Sequence, residues 1–169
     1  RRPAKLLLLG HGENSIYNIW MQLRDSNPEI VTQPLIADVR DAGRIERLFL
    51  AYRPQVVFHA AAHKHVPLME LCPEEAFTTN VLGTRNVLRA AEVAGTERLV
   101  LISSDKAVNP LNVMGASKCV AEMLVQQAAQ RLGRRSRRLL HRQLYRQRRH
   151  HHAGYLGQPR QPHLHPALL

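Results

Sequence analysis

RLVLISSDKAVNPLNVMGASK, residues 98 to 118, is the stretch whose reading decides the fold. Arg98 to Ile102 is a short apolar run, the pattern of a parallel strand buried on both faces. Ser103 to Pro110 is polar and closes on proline, so it reads as a loop. Val113 to Leu132 follows as a helix and stops at Gly133. A strand that leaves through a loop into a helix is half of a βαβ unit.

The same alternation repeats upstream. Ala4 to Leu9 is an apolar strand ending at Gly10, and Glu13 to Arg24 sets Ile16, Ile19, Trp20 and Leu23 at helical spacing before Asn27 and Pro28 close the helix. Ile30 to Ala37 is a second strand leading into Asp38. Asp41 to Tyr52 carries Ile45, Leu48 and Phe49 on one face, with Asp41 placed as a cap and Pro54 just past the end. Gln55 to His59 is a third strand, followed by the small residues Ala60 to Ala62 and a loop containing Pro67. Pro73 to Ala94 reads as one long helix with Ala76, Val81, Leu88 and Ala91 among its buried positions and Gly95 as its stop. Alternating strands and helices with short links predict an α/β fold with a doubly wound parallel sheet.

Ligands of such sheets bind beyond the carboxyl ends of the strands. Gly10, Asp38, the Ala60 to Lys64 stretch and Ser103 to Lys106 each directly follow a strand. Their shared placement marks a site, although loop polarity alone would account for any one of them.

Composition first points elsewhere. Lys and Arg outnumber Asp and Glu by 24 to 13, as expected of a protein that meets phosphates. The excess is local, however: residues 1 to 133 hold 15 basic and 13 acidic side chains, whereas residues 134 to 169 hold nine Arg and no acid. Nucleic acid is therefore not an expected partner of the folded part. Cys72 and Cys119 form no CxxC pair, which argues against a disulfide framework or a zinc site and for a reducing, cytoplasmic setting. The apolar run Leu6 to Leu9 is far short of the roughly 20 residues needed to cross a bilayer.

Two regions follow, residues 1–133 as the folded domain and residues 134–169 as a basic low-complexity tail expected to be disordered. Arg, His, Gln, Pro and Leu make 29 of the 36 tail positions against 45 of the preceding 133, and all five can be encoded by codons beginning with C. A reading frame displaced by one base in a GC-rich gene produces this bias, so a frameshift near Gly133 is expected. A basic nucleic-acid arm and a metal site at His150, His151 and His152 are the competing readings. Aromatics beyond Tyr145 and Tyr155 are lacking for the first, and adjacent histidines match no particular metal-site spacing for the second. No metal site is expected.

Three segments carry a family resemblance: DVRD at Asp38 to Asp41, FHAAAHKHVPLME at Phe58 to Glu70, and ISSDKAVNPLNVMGASK at Ile102 to Lys118. Together they resemble the CapD-like polysaccharide-biosynthesis branch of the nucleotide-sugar 4,6-dehydratases and epimerases, within the extended short-chain dehydrogenases. GHGENSIYNI, Gly10 to Ile19, is similar to the same branch. The resemblance covers residues 4 to 133 and implies a partial Rossmann-like sheet lacking its first strand and its G-x-G-x-x-G turn. It implies a fragment, inactive by itself, of an enzyme making activated sugars for capsule, O-antigen or exopolysaccharide. A non-catalytic dinucleotide-binding module is the alternative, and nucleic-acid binding through the tail a third.

The resemblance also implies roles. The family passes hydride from sugar C4 to bound NAD or NADP, removes the acidified C5 proton, expels the C6 hydroxyl as water and returns hydride to C6. Short-chain dehydrogenases usually place a Tyr one helical turn before the Lys. Here Met114 stands there, as in this branch, and carries no proton. Asp105 and Lys106 are the implied acid/base pair, with Ser104 where Thr is common, and Lys118 the implied holder of the nicotinamide ribose.

Asp38 and Val39 match adenine contacts, while Ala60, Ala61 and Ala62 allow backbone approach to the dinucleotide, with Ser103 at the end of its strand. Lys64 is placed to reach cofactor or substrate, and Asn80 to support the central strands. Gly10, His11, Glu13 and Asn14 lie where the adenine ribose is read, and the absence of an acid at Gly10 leans toward NADP. The implied substrate is a UDP-sugar, UDP-N-acetylglucosamine foremost. The implied parent is a homo-oligomer, cytoplasmic or held at the cytoplasmic face of the inner membrane. His63 and His65 read as structural or substrate-facing residues.

Overall fold

The computed structural model describes residues 3–133 and, as backbone, residues 141–144. Strand β1, Lys5–Gly10, pairs in parallel with β2, Val31–Ile36, so that Leu7 faces Gln33 and Leu8 faces Pro34. Proline offers no amide to a ladder, and β2 stands at the edge of this two-stranded sheet. A second parallel sheet has the order β3-β4-β5, with β3 at Val56–His59, β4 at Arg98–Ser103 and β5 at His141–Leu144. Among the described residues β1 and β3 are not paired with one another. The sheet is therefore in two pieces, as expected of a doubly wound sheet without its first strand.

One core nevertheless lies beneath both pieces. Helices α2, Ala42–Tyr52, and α5, Gly83–Ala94, pack on each other and bring Ile45, Phe49, Val87 and Ala90 against Ala37 and Val39 from the end of β2 and Leu99 and Leu101 from β4. Asp41 caps α2 as expected, accepting the Arg44 amide at 2.8 Å. Gly95 ends α5 at φ 74°, a left-handed conformation that glycine adopts without a Cβ penalty.

Four local expectations change. The segment around Pro67, read as loop, is a short helix, α3 at Val66–Leu71, with the proline in its first turn, where no amide partner is lost. The long helix from Pro73 is not uniform. It begins as α4, Pro73–Ala76, widens into a π turn over Phe77–Leu82, and resumes as α5. Helix α1, Glu13–Ser26, forms where its periodicity predicts, but none of its residues is buried and Tyr17 and Ile19 stand exposed. Ile16, Trp20 and Leu23 of the stripe are half-buried where α1 packs on β1 and β2, and Ile19 lies outside that contact. Finally β5 lies within the tail expected to be disordered, and it pairs in parallel with β4. The rest of the tail, including His150 to His152, lies outside the described residues.

Helix α6, Val113–Gly133, is anchored at its start. Asn112 accepts the Gly115 amide at 2.7 Å, and the Glu70 carboxylate of α3 accepts the Val113 amide at 2.7 Å. An acidic group at these free amides also complements the helix dipole.

Candidate functional site

The ends of the strands carry the polar residues. Beyond β4, Ser104 caps a single 3-10 turn, Asp105–Ala107: its Oγ accepts the Lys106 amide at 3.2 Å and donates to Asp105 Oδ1 at 3.0 Å. Lys106 Nζ stands 3.8 Å from the same carboxylate oxygen. The Ser104 hydrogen bond and then the Lys106 charge hold the Asp105 carboxyl below its ordinary range. At neutral pH it is ionised and open to solvent, able to accept a proton.

The 3-10 turn is seated on α6. A Cβ on Gly115 would stand 2.3 Å from the Lys106 carbonyl oxygen, so only glycine permits this approach. One turn further, Lys118 is 6% exposed and donates from Nζ to the Ile102 carbonyl at 2.7 Å. Burial lowers its pKa, and the Glu122 carboxylate opposes that effect. Met114 is buried with Met69 and Ala76. Helix α6 and β4 thus bring Ser104, Asp105, Lys106 and Lys118 to one strand end.

A buried polar chain links this strand end to the exit of β3. Asn80, in the π turn, accepts the His63 amide at 2.7 Å and donates to the His63 carbonyl at 3.0 Å and to Ser117 Oγ at 2.8 Å. Ser117 donates in turn to the Met114 carbonyl at 2.7 Å. Both amide protons of Asn80 are used, and its oxygen grips the backbone of the residue just after Ala60 to Ala62. Ala60 and Ala61 are exposed.

His59 was not among the residues singled out from sequence, yet it is 4% exposed with Nε2 2.9 Å from Thr84 Oγ1. Thr84 donates its one hydroxyl proton to the Asn80 carbonyl at 2.6 Å. Its oxygen therefore accepts from His59, which makes His59 the Nε2–H tautomer. Burial, and then the Lys118 charge, push its pKa down to about 4. The available signal was a histidine at the inner end of a strand that is otherwise apolar.

The nucleotide end is more dispersed. Asp38 Oδ1 accepts the Arg40 amide at 2.9 Å, and Oδ2 accepts from the Arg40 guanidinium at 2.9 and 2.6 Å. These bonds lower the Asp38 pKa, with a smaller contribution from His11 at the end of β1. Arg40 also reaches Glu75 at 3.2 Å, and His63 Nε2 lies 3.7 Å from the same Glu75 oxygen. Val39 is buried against Gly83, where an added Cβ would stand 2.7 Å from Val39 Cγ2. Glu13 and Asn14 lie exposed on the first turn of α1, Gly10 closes the β1 ladder opposite Ile36, and Lys64 is exposed. These residues are not drawn into the hydrogen-bonded cluster. Among the described residues no group of three metal-ligating side chains occurs.

The parallel sheet, the small residues beyond β3 and the buried lysine beside the β4 end define the Rossmann-like domain of an extended short-chain dehydrogenase. Residues 1–143 match the family described as "Polysaccharide biosynthesis protein", and the chain belongs to that family. The match runs past Gly133, where the resemblance was expected to stop, into β5.

Among its relatives are the probable polysaccharide biosynthesis protein EpsC of Bacillus subtilis, 56% identical over 125 residues, and the capsular polysaccharide biosynthesis protein CapD of Staphylococcus aureus, 52% identical over 125 residues. Each alignment covers 73% of this chain, and the chain spans 21% of each relative. The solved structure of Pen from Bacillus thuringiensis is 34% identical with a TM-score of 0.69, over 78% of this chain and 40% of that one. The UDP-Glc/GlcNAc 4-epimerase of Campylobacter jejuni, at 16% identity and a TM-score of 0.70 over 83% of this chain and 44% of that one, shares the fold.

Proposed function

We propose that this segment forms the cofactor-facing and proton-transferring part of a nucleotide-sugar 4,6-dehydratase or 5-epimerase acting on a UDP-N-acetylhexosamine, UDP-N-acetylglucosamine foremost. The observation that carries the reading is the union of buried Lys118 with the Ser104, Asp105 and Lys106 turn at one strand end. One relative is named for polysaccharide biosynthesis and another for capsular polysaccharide biosynthesis, which supports a product used in capsule, O-antigen or exopolysaccharide synthesis.

The residues present fit a nicotinamide dinucleotide. Ser103 Oγ is buried with no hydrogen-bond partner among the described residues, which leaves a polar atom for a ligand. Ala60 and Ala61 present backbone without bulk, and Asp38 Oδ1 keeps an acceptor position for an adenine amino group beside Val39. Lys118 would hold the nicotinamide ribose, Gly10, His11, Glu13 and Asn14 the adenine ribose, and Lys64 a phosphate of cofactor or substrate. NAD or NADP, when bound there, would supply a hydride acceptor for sugar C4 and a hydride donor for C6.

The chain's own residues handle protons. A ketone at C4 acidifies the C5 hydrogen, and Asp105, ionised and exposed, takes that proton as the C5–H bond breaks. The proton passes on to the C6 hydroxyl, which leaves as water while C5 and C6 become doubly bonded. Lys106 stabilises the negative charge on the Asp105 carboxylate before the first transfer and again after the second. Return of the C5 proton to the opposite face inverts that centre in a 5-epimerase. Met114 carries no proton, so the C4 hydroxyl proton leaves to another group.

We assign the complete enzyme to the cytoplasm or to the cytoplasmic face of the inner membrane, as a homo-oligomer. One relative, from Methanocaldococcus jannaschii, is named an uncharacterized membrane protein and is 44% identical over 122 residues. No helix among the described residues is long and apolar enough to cross a membrane.

Turnover of UDP-N-acetylglucosamine by the protein of the complete locus tests the reading, with formation of a 4-keto-6-deoxy sugar and loss of one water as the expected result. This segment alone is expected to give none. Cofactor bound without product in the complete protein would leave a non-catalytic dinucleotide-binding module.

A further inference from the structure

The Asn80 clamp depends on where its backbone sits, and that backbone is a π turn. A π turn in an α-helix shifts the carbonyls away from their usual partners and persists only when something else holds it. Here the Asn80 carbonyl receives the Thr84 hydroxyl at 2.6 Å, and Thr84 receives His59 Nε2–H at 2.9 Å. From the same residue the Asn80 side chain grips both backbone groups of His63 and reaches Ser117 beside Lys118.

We infer that His59 is a positioning residue: through Thr84 it holds the π turn, so that Asn80 fixes the backbone at the exit of β3. The chain of donors runs one way. His59 donates to Thr84, Thr84 to the Asn80 carbonyl, and the Asn80 amide to His63 and Ser117. Each hydroxyl has one proton and each is spent, so no member can reverse without leaving a buried donor unmet.

Three elements are tied by this chain: β3 through His59, the interrupted helix through Asn80 and Thr84, and α6 through Ser117. The Ala60 to Ala62 backbone lies between His59 and the clamped His63. It is held at both ends. That this backbone faces a dinucleotide rests on the function proposed above; that His59 positions it does not.

Amide hydrogen exchange of the folded chain, with circular dichroism and urea denaturation to establish folding, tests the inference. His59→Ala is expected to raise exchange of the His63 amide at least about tenfold relative to amides of α2, while His59→Gln, which keeps an N–H near Nε2, restores protection. Thr84→Val preserves shape without the hydroxyl and should loosen His63 in the same way, and it serves if His59→Ala does not fold. Unchanged His63 exchange in folded Thr84→Val overturns the inference. So does a ¹⁵N spectrum showing His59 protonated on Nδ1 alone.

An NADH titration of the same variants separates the two ideas. Weaker binding in Thr84→Val with binding retained in His59→Gln supports both. The exchange pattern without NADH binding in any variant supports the positioning and defeats the cofactor reading.

Discussion

Gly115 and the Lys106 carbonyl meet so closely that a Cβ at residue 115 would stand 2.3 Å from the oxygen. The contact seats the Asp105–Ala107 turn on α6. The neighbour is backbone, which cannot swing away as a flexible side-chain end can. In an exposed helix, Gly to Ala gains up to about 1 kcal/mol. Gly115→Ala is expected to do the reverse, losing about 1 to 3 kcal/mol by overpacking. Urea denaturation against Gly43→Ala in α2, where the nearest atom is the end of the Arg47 side chain at 3.3 Å, isolates the effect. Equal responses at the two glycines would show that the 3-10 turn shifts freely.

Lys118 and Glu122 are both buried on α6, four residues apart; the Glu122 charge opposes the lowering of the Lys118 pKa by burial, and Nζ donates to the Ile102 carbonyl. Removing one charge of such a pair strands the other. Lys118→Met is expected to cost about 3 kcal/mol, and Lys118→Met with Glu122→Gln distinctly less than that single change. A double-mutant cycle in urea measures the coupling. Additive losses would mean that Glu122 does not sense Lys118.

Strands, helices and their order were legible because each is carried by local pattern: Leu6 to Leu9, the Ile45, Leu48 and Phe49 face, and the Asp41 cap lie within a few residues of what they specify. The interruption at Phe77–Leu82 was not legible. Asn80 within it bonds to His63 and Ser117, partners 17 and 37 residues away, and propensity carries no trace of such contacts. His59 escaped notice for the same reason, since its partner Thr84 is 25 residues on. The shallow burial of α1 was hidden because periodicity reports which face is apolar and not how deeply it is covered. The polar strand ends were readable as places, while the Arg40 bridge between Asp38 and Glu75 required the fold.

Met114 fills a small cluster with Met69 and Ala76, flanked by half-buried Val66 and Val113. Its place one turn before Lys118 is a packing position in this chain. Met114→Leu conserves volume and is expected to cost less than about 1.5 kcal/mol. Met114→Tyr adds a ring and a hydroxyl to a site only 3% exposed, and should cost about 1 to 3 kcal/mol by overpacking. Thermal unfolding of the three proteins ranks them. A tyrosine variant as stable as the parent would show room for a phenol beside Lys118, contrary to the packing seen here.

Burial gives His59 a pKa of about 4 in the folded chain, against an ordinary histidine value of 6.5 when unfolded. Above pH 6.5 both states are neutral and the residue adds no pH dependence. Below it, the unfolded chain takes up a proton that the folded chain refuses until about pH 4. Stability therefore falls progressively across that window, by about 3 kcal/mol in all. The lowered Asp38 and Asp105 carboxyls act separately, since the stability they contribute is lost only at lower pH, as the folded carboxylates protonate. Urea denaturation at half-unit steps from pH 7 to pH 4.5, for the parent and His59→Gln, isolates the histidine as the difference between the two curves. The gap should change steadily as pH falls, with the parent losing more, because glutamine takes up no proton. Parallel curves through this range would mean that His59 is not held neutral by its surroundings.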